Sequence, residues 1–255
     1  MKKDYIRLIK KKEVATIVLN NPDGLNLIDY DFLNSFYEKL IKLDKDDKIR
    51  IILLKSAQDF FSAGIDWGKL QGYSLQTTKD FFNLSNKCIN LLMQTNKITV
   101  SQIKGNAYGE GLALSLACDF KIASEPALFG LPQIAYGFIP MFNVIPHLIT
   151  LIGETYANEL IYAGEIVNGL RAEQIGLVNI AVRPENLKME TERLINNILS
   201  NQNPEILRYK SILKKIDPIK QALIEKMSLD NLLKFQKDKK KLKNFKLFLK
   251  SRCKV

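Results

Sequence analysis

Histidine, tryptophan and cysteine are the scarce residues, with one, one and three in 255 positions. Cys88, Cys118 and Cys253 stand far apart, without the close spacing of a metal site or a disulfide framework. Reduced thiols in a cytoplasmic protein are the expectation, and no metal is called for. Long apolar runs are lacking too. No stretch approaches the ~18 residues that span a bilayer, and no signal-peptide core follows Met1-Lys2-Lys3-Asp4. The final Cys253-Lys254-Val255 is neither a prenylation box nor a peroxisomal address. These absences set aside membrane and secretory roles. Arginine is sparse, and it does not interleave with aromatics in the manner of nucleic-acid binders, although the formal net charge is +11.

What is present reads as a soluble globular chain, with 46% hydrophobic and 25% charged residues. Its length suits one large domain, or a core with a small appendage. Much of the positive charge sits near the C-terminus, from Lys234 to Lys250. There it alternates with Leu242, Phe245, Leu247, Phe248 and Leu249, the pattern of an amphipathic helix with a solvated face.

The most informative stretch is Gly105-Asn106-Ala107-Tyr108-Gly109-Glu110-Gly111, followed by the small apolar run Leu112 to Ala117. A β-branched segment, Ile98 to Ile103, feeds into it. Strand, glycine turn and helix in that order leave the first helical amides without internal partners. Those amides favour negative charge, whether phosphate, carboxylate or oxyanion. A second turn of small residues, Phe61-Ser62-Ala63-Gly64-Ile65-Asp66-Trp67, follows the apolar strand Ile49 to Leu54. One amide from each turn, converging on one oxygen, would stabilise an enolate or tetrahedral oxyanion.

Taken in order, the chain predicts strands over Tyr5–Ile9 and Val14–Leu19, then a breaker-rich turn at Asn20–Gly24. A helix capped by Asp29 or Asp31 follows, with Phe32, Leu33, Phe36, Leu40 and Leu43 at helical spacing. Lys69 to Thr78 reads as a polar loop, expected to be mobile. The helix after it, Lys79 to Thr95, turns Phe81, Phe82, Leu84, Cys88, Leu91 and Leu92 inward. Short strands are expected over Phe120–Ala123 and Ala127–Phe129. Helices are expected over Leu187–Leu199, Glu205–Lys214 and Ile219–Phe235.

Phe61 to Asp66 together with Gly105 to Gly111 resembles the two signature segments of the crotonase (enoyl-CoA hydratase/isomerase) superfamily. Further segments match in order: Val14 to Pro22 with Asn26, Ala117 to Ala123, Phe129 to Pro132, Gly164 to Asn179, and Phe245, Leu249 and Arg252. The resemblance implies an α/β fold: a ββα spiral core over residues 1–199, with a C-terminal helical trimerisation region over 200–255. It implies a homotrimer or a dimer of trimers. The substrate it implies is an acyl thioester of coenzyme A or of an acyl carrier protein, with coenzyme A part of the substrate and no separate cofactor. The basic charge suits such an anionic ligand.

By the same resemblance the amides of Ile65 and Glu110 form the oxyanion hole, and Ala63, Gly64, Asp66, Trp67, Gly109, Ala113 and Met141 line the substrate site. The chain departs from the family in three places. Glu110 replaces the middle glycine of the usual triplet, and its side chain is expected to point outward. The two glutamates that deliver water in hydratases fall at Ala113 and Gln133, neither of which exchanges a proton usefully. Met141 and Phe142 make the segment after Pro140 bulkier than usual. Isomerisation or decarboxylation is therefore favoured over hydration, with Gln133 holding a polar group and Tyr136, Tyr108 or His147 as proton donor. His147 reads more readily as a packed helix residue. The alternatives are a thioester hydrolase with a water placed by Glu110 or Gln133, or a degenerate paralogue that binds acyl-CoA without turnover.

Overall fold

The computed structural model describes residues 5–141 and 144–201 and single positions between 226 and 247, the side chains of 135 and 136 excepted. Two β-branched segments open the chain as an antiparallel hairpin, β1 (Ile6–Lys11) and β2 (Val14–Leu19). From β2 the sheet continues in parallel through β3 (Ile51–Ser56), β4 (Ile98–Ile103), β6 (Phe120–Ser124) and β9 (Ile180–Val182). A second sheet joins β5 (Ala107–Tyr108), β7 (Leu128–Gly130) and β8 (Ile166–Asn168). The chain thus crosses from the large sheet into the small one and out into a helix. It does so once through β4, β5 and α4 (Glu110–Leu116), and again through β6, β7 and α5 (Val144–Tyr162).

The central strands β3 and β4 are covered on both faces, which is why they read as apolar runs rather than alternations. On one side α1 (Tyr30–Asp44) packs against α3 (Leu75–Gln94). Phe32, Leu33, Phe36, Leu40 and Leu43 recur at three- and four-residue intervals, and all are buried. Asp29 caps α1, its Oδ1 accepting from the Phe32 amide at 2.7 Å. Past α6 (Gly169–Gln174), α7 (Leu187–Ser200) lies on the other side and lays Ile195 over Ile51, Ile98 and Val100.

The stretch expected as a mobile loop over Lys69–Thr78 is ordered. Trp67–Leu70 forms the short helix α2, and α3 begins at Leu75 under a Ser74 cap. Lys69 pairs with the buried Asp29 carboxylate. From the far end of the chain, Gln236 Nε2 donates to the carbonyls of Leu70 (2.8 Å) and Tyr73 (2.9 Å). Polar composition disguised the segment because its order comes from these long-range partners. Leu232 is buried in the main core. The helix expected over Glu205–Lys214 and the segment at Phe245, Leu249 and Arg252 lie outside the described residues.

The two signature turns are laced together. Phe61 and Ser62 amides both donate to Asn106 O, at 3.0 and 3.2 Å, and Tyr108 N donates to Ser62 O at 3.0 Å. Gly111 permits that approach: a Cβ there would stand 2.3 Å from Ser62 O. Gly111→Ala is expected to cost ~1–3 kcal/mol, as overpacking does; a thermal melt equal to that of the parent chain would contradict the contact.

Candidate active site

The first turn sits on a polar buttress. Asn26, with φ of 49°, sends Nδ2 to Ser56 Oγ (2.8 Å) and to the carbonyls of Phe60 (3.2 Å) and Phe61 (3.0 Å). Ser62 Oγ returns a bond to Asn26 O at 2.8 Å. Ile28 N donates to Gly64 O and Asp66 N donates to Ile28 O, in a parallel bridge between Ile28 and Ile65. In such a bridge the intervening residue turns its own N–H to the other side. The Ile65 amide therefore faces away from Ile28.

Gly64 makes the bend with φ of 88°, a left-handed value that side chains resist. Its Cα stands against the second turn, where a Cβ would lie 3.0 Å from Tyr108 O, 3.4 Å from Glu110 N and 3.5 Å from Glu110 Oε2. Gly109, also at positive φ, donates its N–H to Gly130 O at 3.0 Å and starts α4. The two turns thus meet with Gly64 facing the Glu110 amide, at the N-terminus of a helix.

The Glu110 side chain does not point outward. All seven residues of α4 are buried, so the helix has no outer face to offer it. Glu110 is 2% exposed. Its carboxyl lies inside the site, beside its own amide, the Met141 amide and Gln133, whose Nε2 stands 3.4 Å from Oε1. Burial pushes the carboxyl up to about 7, against the lowering effect of those three donors. The signal for this was a lone acid in the run Gly-Leu-Ala-Leu-Ser-Leu-Ala, where every direction is interior.

A group kept protonated by the fold opposes stability once the unfolded chain ionises it. The contribution of Glu110 should therefore fall as pH rises from about 4.5 towards about 7. Thermal melts across that window should show a steeper decline in the parent than in Glu110→Gln; identical slopes would contradict the burial.

The other expected site residues fall around this point. Ala63, Trp67, Ala113 and Met141 are buried, and Gln133 lies against Gly109. Asp66 serves structure, its Oδ1 capping α2 through the Lys69 amide at 3.0 Å. Trp67 meets Phe138 edge-on, ring centroids 4.8 Å apart, and so ties the first turn to the segment carrying Gln133. His147 stands at the opposite end of α4. Its Nε2 lies 2.7 Å from Leu116 O, and burial lowers its pKa. Lys121 Nζ donates to Cys118 O at 3.2 Å beside it. Both cap the helix C-terminus, so His147 is no proton donor to the hole. Tyr108 packs its ring against Phe60. The Tyr136 side chain and Phe142 lie outside the described residues. Among the described residues no cluster of His, Cys, Asp and Glu could hold a metal ion, and no helix is long and apolar enough to cross a membrane.

A two-sheet spiral whose two glycine turns meet at the N-terminus of a buried helix defines an enzyme of the crotonase class, acting on acyl thioesters. The chain matches the family model described as Enoyl-CoA hydratase/isomerase over residues 9–252, and it belongs to that family. It is 30% identical over 198 residues to a crotonyl-CoA hydratase of Syntrophomonas wolfei, covering 77% of this chain and 76% of the relative. An enoyl-CoA hydratase structure from Bacillus anthracis superposes with a TM-score of 0.79 at 26% identity, covering 97% of each chain. The human mitochondrial delta3-delta2-enoyl-CoA isomerase has the same fold, with a TM-score of 0.87 at 22% identity over 97% of each chain.

Proposed function

We propose that the protein isomerises 3-enoyl thioesters to 2-enoyl thioesters, with Glu110 as the proton carrier. One observation carries this reading: Glu110 turns its carboxyl into the site, where burial pushes it up to about 7, while the resemblance puts Ala113 and Gln133 at the positions of the hydratase glutamates. Moving a double bond needs one base that takes a proton from C2 and returns it to C4. A carboxyl near pH 7 suits both halves of that transfer.

The thioester oxygen would accept from the Ile65 and Glu110 amides, each such donor being worth ~3 kcal/mol to the enolate. Glu110 then supplies a hole donor and the proton carrier from a single residue. Gln133 Nε2 keeps the carboxyl oriented. Hydration by the family's route uses two carboxyls, one to take a proton from water and one to give a proton to C2, and the resemblance puts Ala113 and Gln133 at those positions. Decarboxylation is disfavoured by the same carboxyl, because an ionised Glu110 would repel a substrate carboxylate.

The substrate is carried by coenzyme A or by an acyl carrier protein, and no further cofactor takes part. Assembly as a homotrimer or a dimer of trimers, through residues 200–255, and a cytoplasmic location belong to the same proposal. The test is a mass-spectrometric and absorbance assay with 3-hexenoyl-CoA, crotonyl-CoA and malonyl-CoA. Formation of conjugated thioester from the first, well ahead of turnover of the other two, is expected. Crotonyl-CoA hydration as fast as isomerisation would overturn the assignment.

A further inference from the structure

Isomerisation leaves one polar atom of the site without work. Gln133 is 2% exposed, and its Oε1 has no hydrogen-bond partner among the described residues. A buried acceptor left so costs about 1–3 kcal/mol, which makes it a seat for a donor. The amide lies flat on the start of α4, where a Cβ on Gly109 would stand 3.2 Å from Nε2 and 3.4 Å from Oε1. Its other end holds Glu110 Oε1 at 3.4 Å, and Glu110 Oε2 faces Gly64. An unfilled acceptor and a carboxyl thus stand side by side next to the two hole turns. The small molecule with two donors for those two acceptors is water.

The geometry points to a second activity, hydrolysis of saturated acyl thioesters by a water held between Gln133 Oε1 and the Glu110 carboxylate. The inference rests on the reading of the Ile65 and Glu110 amides as the oxyanion hole, but not on isomerisation. With one O–H on Gln133 and the other on Glu110, the water oxygen is free to attack the thioester carbon. Its bond to carbon forms as Glu110 takes the proton, and the carbonyl electrons move to the oxygen in the hole. Collapse of that oxyanion breaks the C–S bond. The Glu110 proton passes to the departing sulfur, whose thiol form is favoured below its ordinary pKa of about 8.5. The products are a carboxylic acid and the free thiol, with no change in oxidation state.

The experiment uses the full chain with butyryl-CoA, which has no double bond to move or hydrate. Thiol release is followed over many turnovers, then a single turnover is run with enzyme in excess in 18O-labelled water. The inference expects sustained release, one labelled oxygen in the butyrate of the first turnover, and a rate rising with pH through about 7 as Glu110 ionises. Glu110→Gln and Gln133→Leu should each slow release by ~100-fold or more. Release at the uncatalysed rate in the parent chain overturns the inference. So does unlabelled first-turnover butyrate, whose oxygen would have come from the Glu110 carboxyl through an anhydride. Either result stands on the parent chain alone, whatever the variants' stability. A chain that releases thiol from butyryl-CoA yet leaves 3-hexenoyl-CoA unmoved refutes isomerisation only, and the reverse refutes hydrolysis only.

Discussion

Glu110→Gln is expected to lower kcat for 3-hexenoyl-CoA isomerisation by roughly 10²–10⁴-fold, the usual worth of a positioned acid–base group. Glutamine keeps the backbone amide, and so keeps both hole donors. It keeps size and hydrogen-bonding reach as well, which confines the loss to proton transfer. The parent's kcat/KM should rise with pH through about 7, because the base form of Glu110 begins the reaction. That inflection should vanish in the variant. An unchanged pH profile with a reduced rate would mean that some other group carries the proton, and would remove Glu110 from the mechanism.

The extent to which the sequence disclosed this site follows from range of interaction. Glycines and β-branched runs act on their own backbone, so the two turns, β2, β4, α1 and α7 were readable from local pattern. The same holds for the reading of Ala113 and Gln133, which needs only residue type at positions that the resemblance aligns. The order of the 69–78 segment depends on Asp29 and on Gln236, roughly forty and 160 residues away in the chain. No local signal reports such partners. The direction of Glu110 failed to show for a related reason. Outward placement of a carboxylate is sound where a helix has a wet face, and α4 has none once β5 and α5 pack against it. The length of α4 and the chemistry of its neighbours, not the residue itself, decide where the acid goes.

That placement has a consequence for affinity opposite in sign to its role in turnover. The carboxyl lies beside the Glu110 and Met141 amides, which hold its pKa down against burial, and the first of these is the donor that the proposed mechanism gives to the thioester oxygen. On that mechanism substrate displaces the enzyme's own acceptor before it enters the hole. A hydrogen bond to a charged group contributes ~1.5–3 kcal/mol. Glu110→Gly, which restores the glycine of the family's triplet, should bind a hydrolysis-proof butyryl-CoA analogue (methylene in place of sulfur) ~10–100-fold more tightly than the parent. Its isomerase activity should be lost all the same. The gain should also depend on pH, because a neutral acid is a weaker acceptor than a carboxylate. Parent affinity is then best below pH 7 and weakens as Glu110 ionises, while the variant's affinity stays flat. Calorimetric titration at two pH values reads both effects. Binding by Glu110→Gly that is equal to the parent's, or weaker, would show that the carboxyl does not compete for its own amide and that the hole stands ready without displacement.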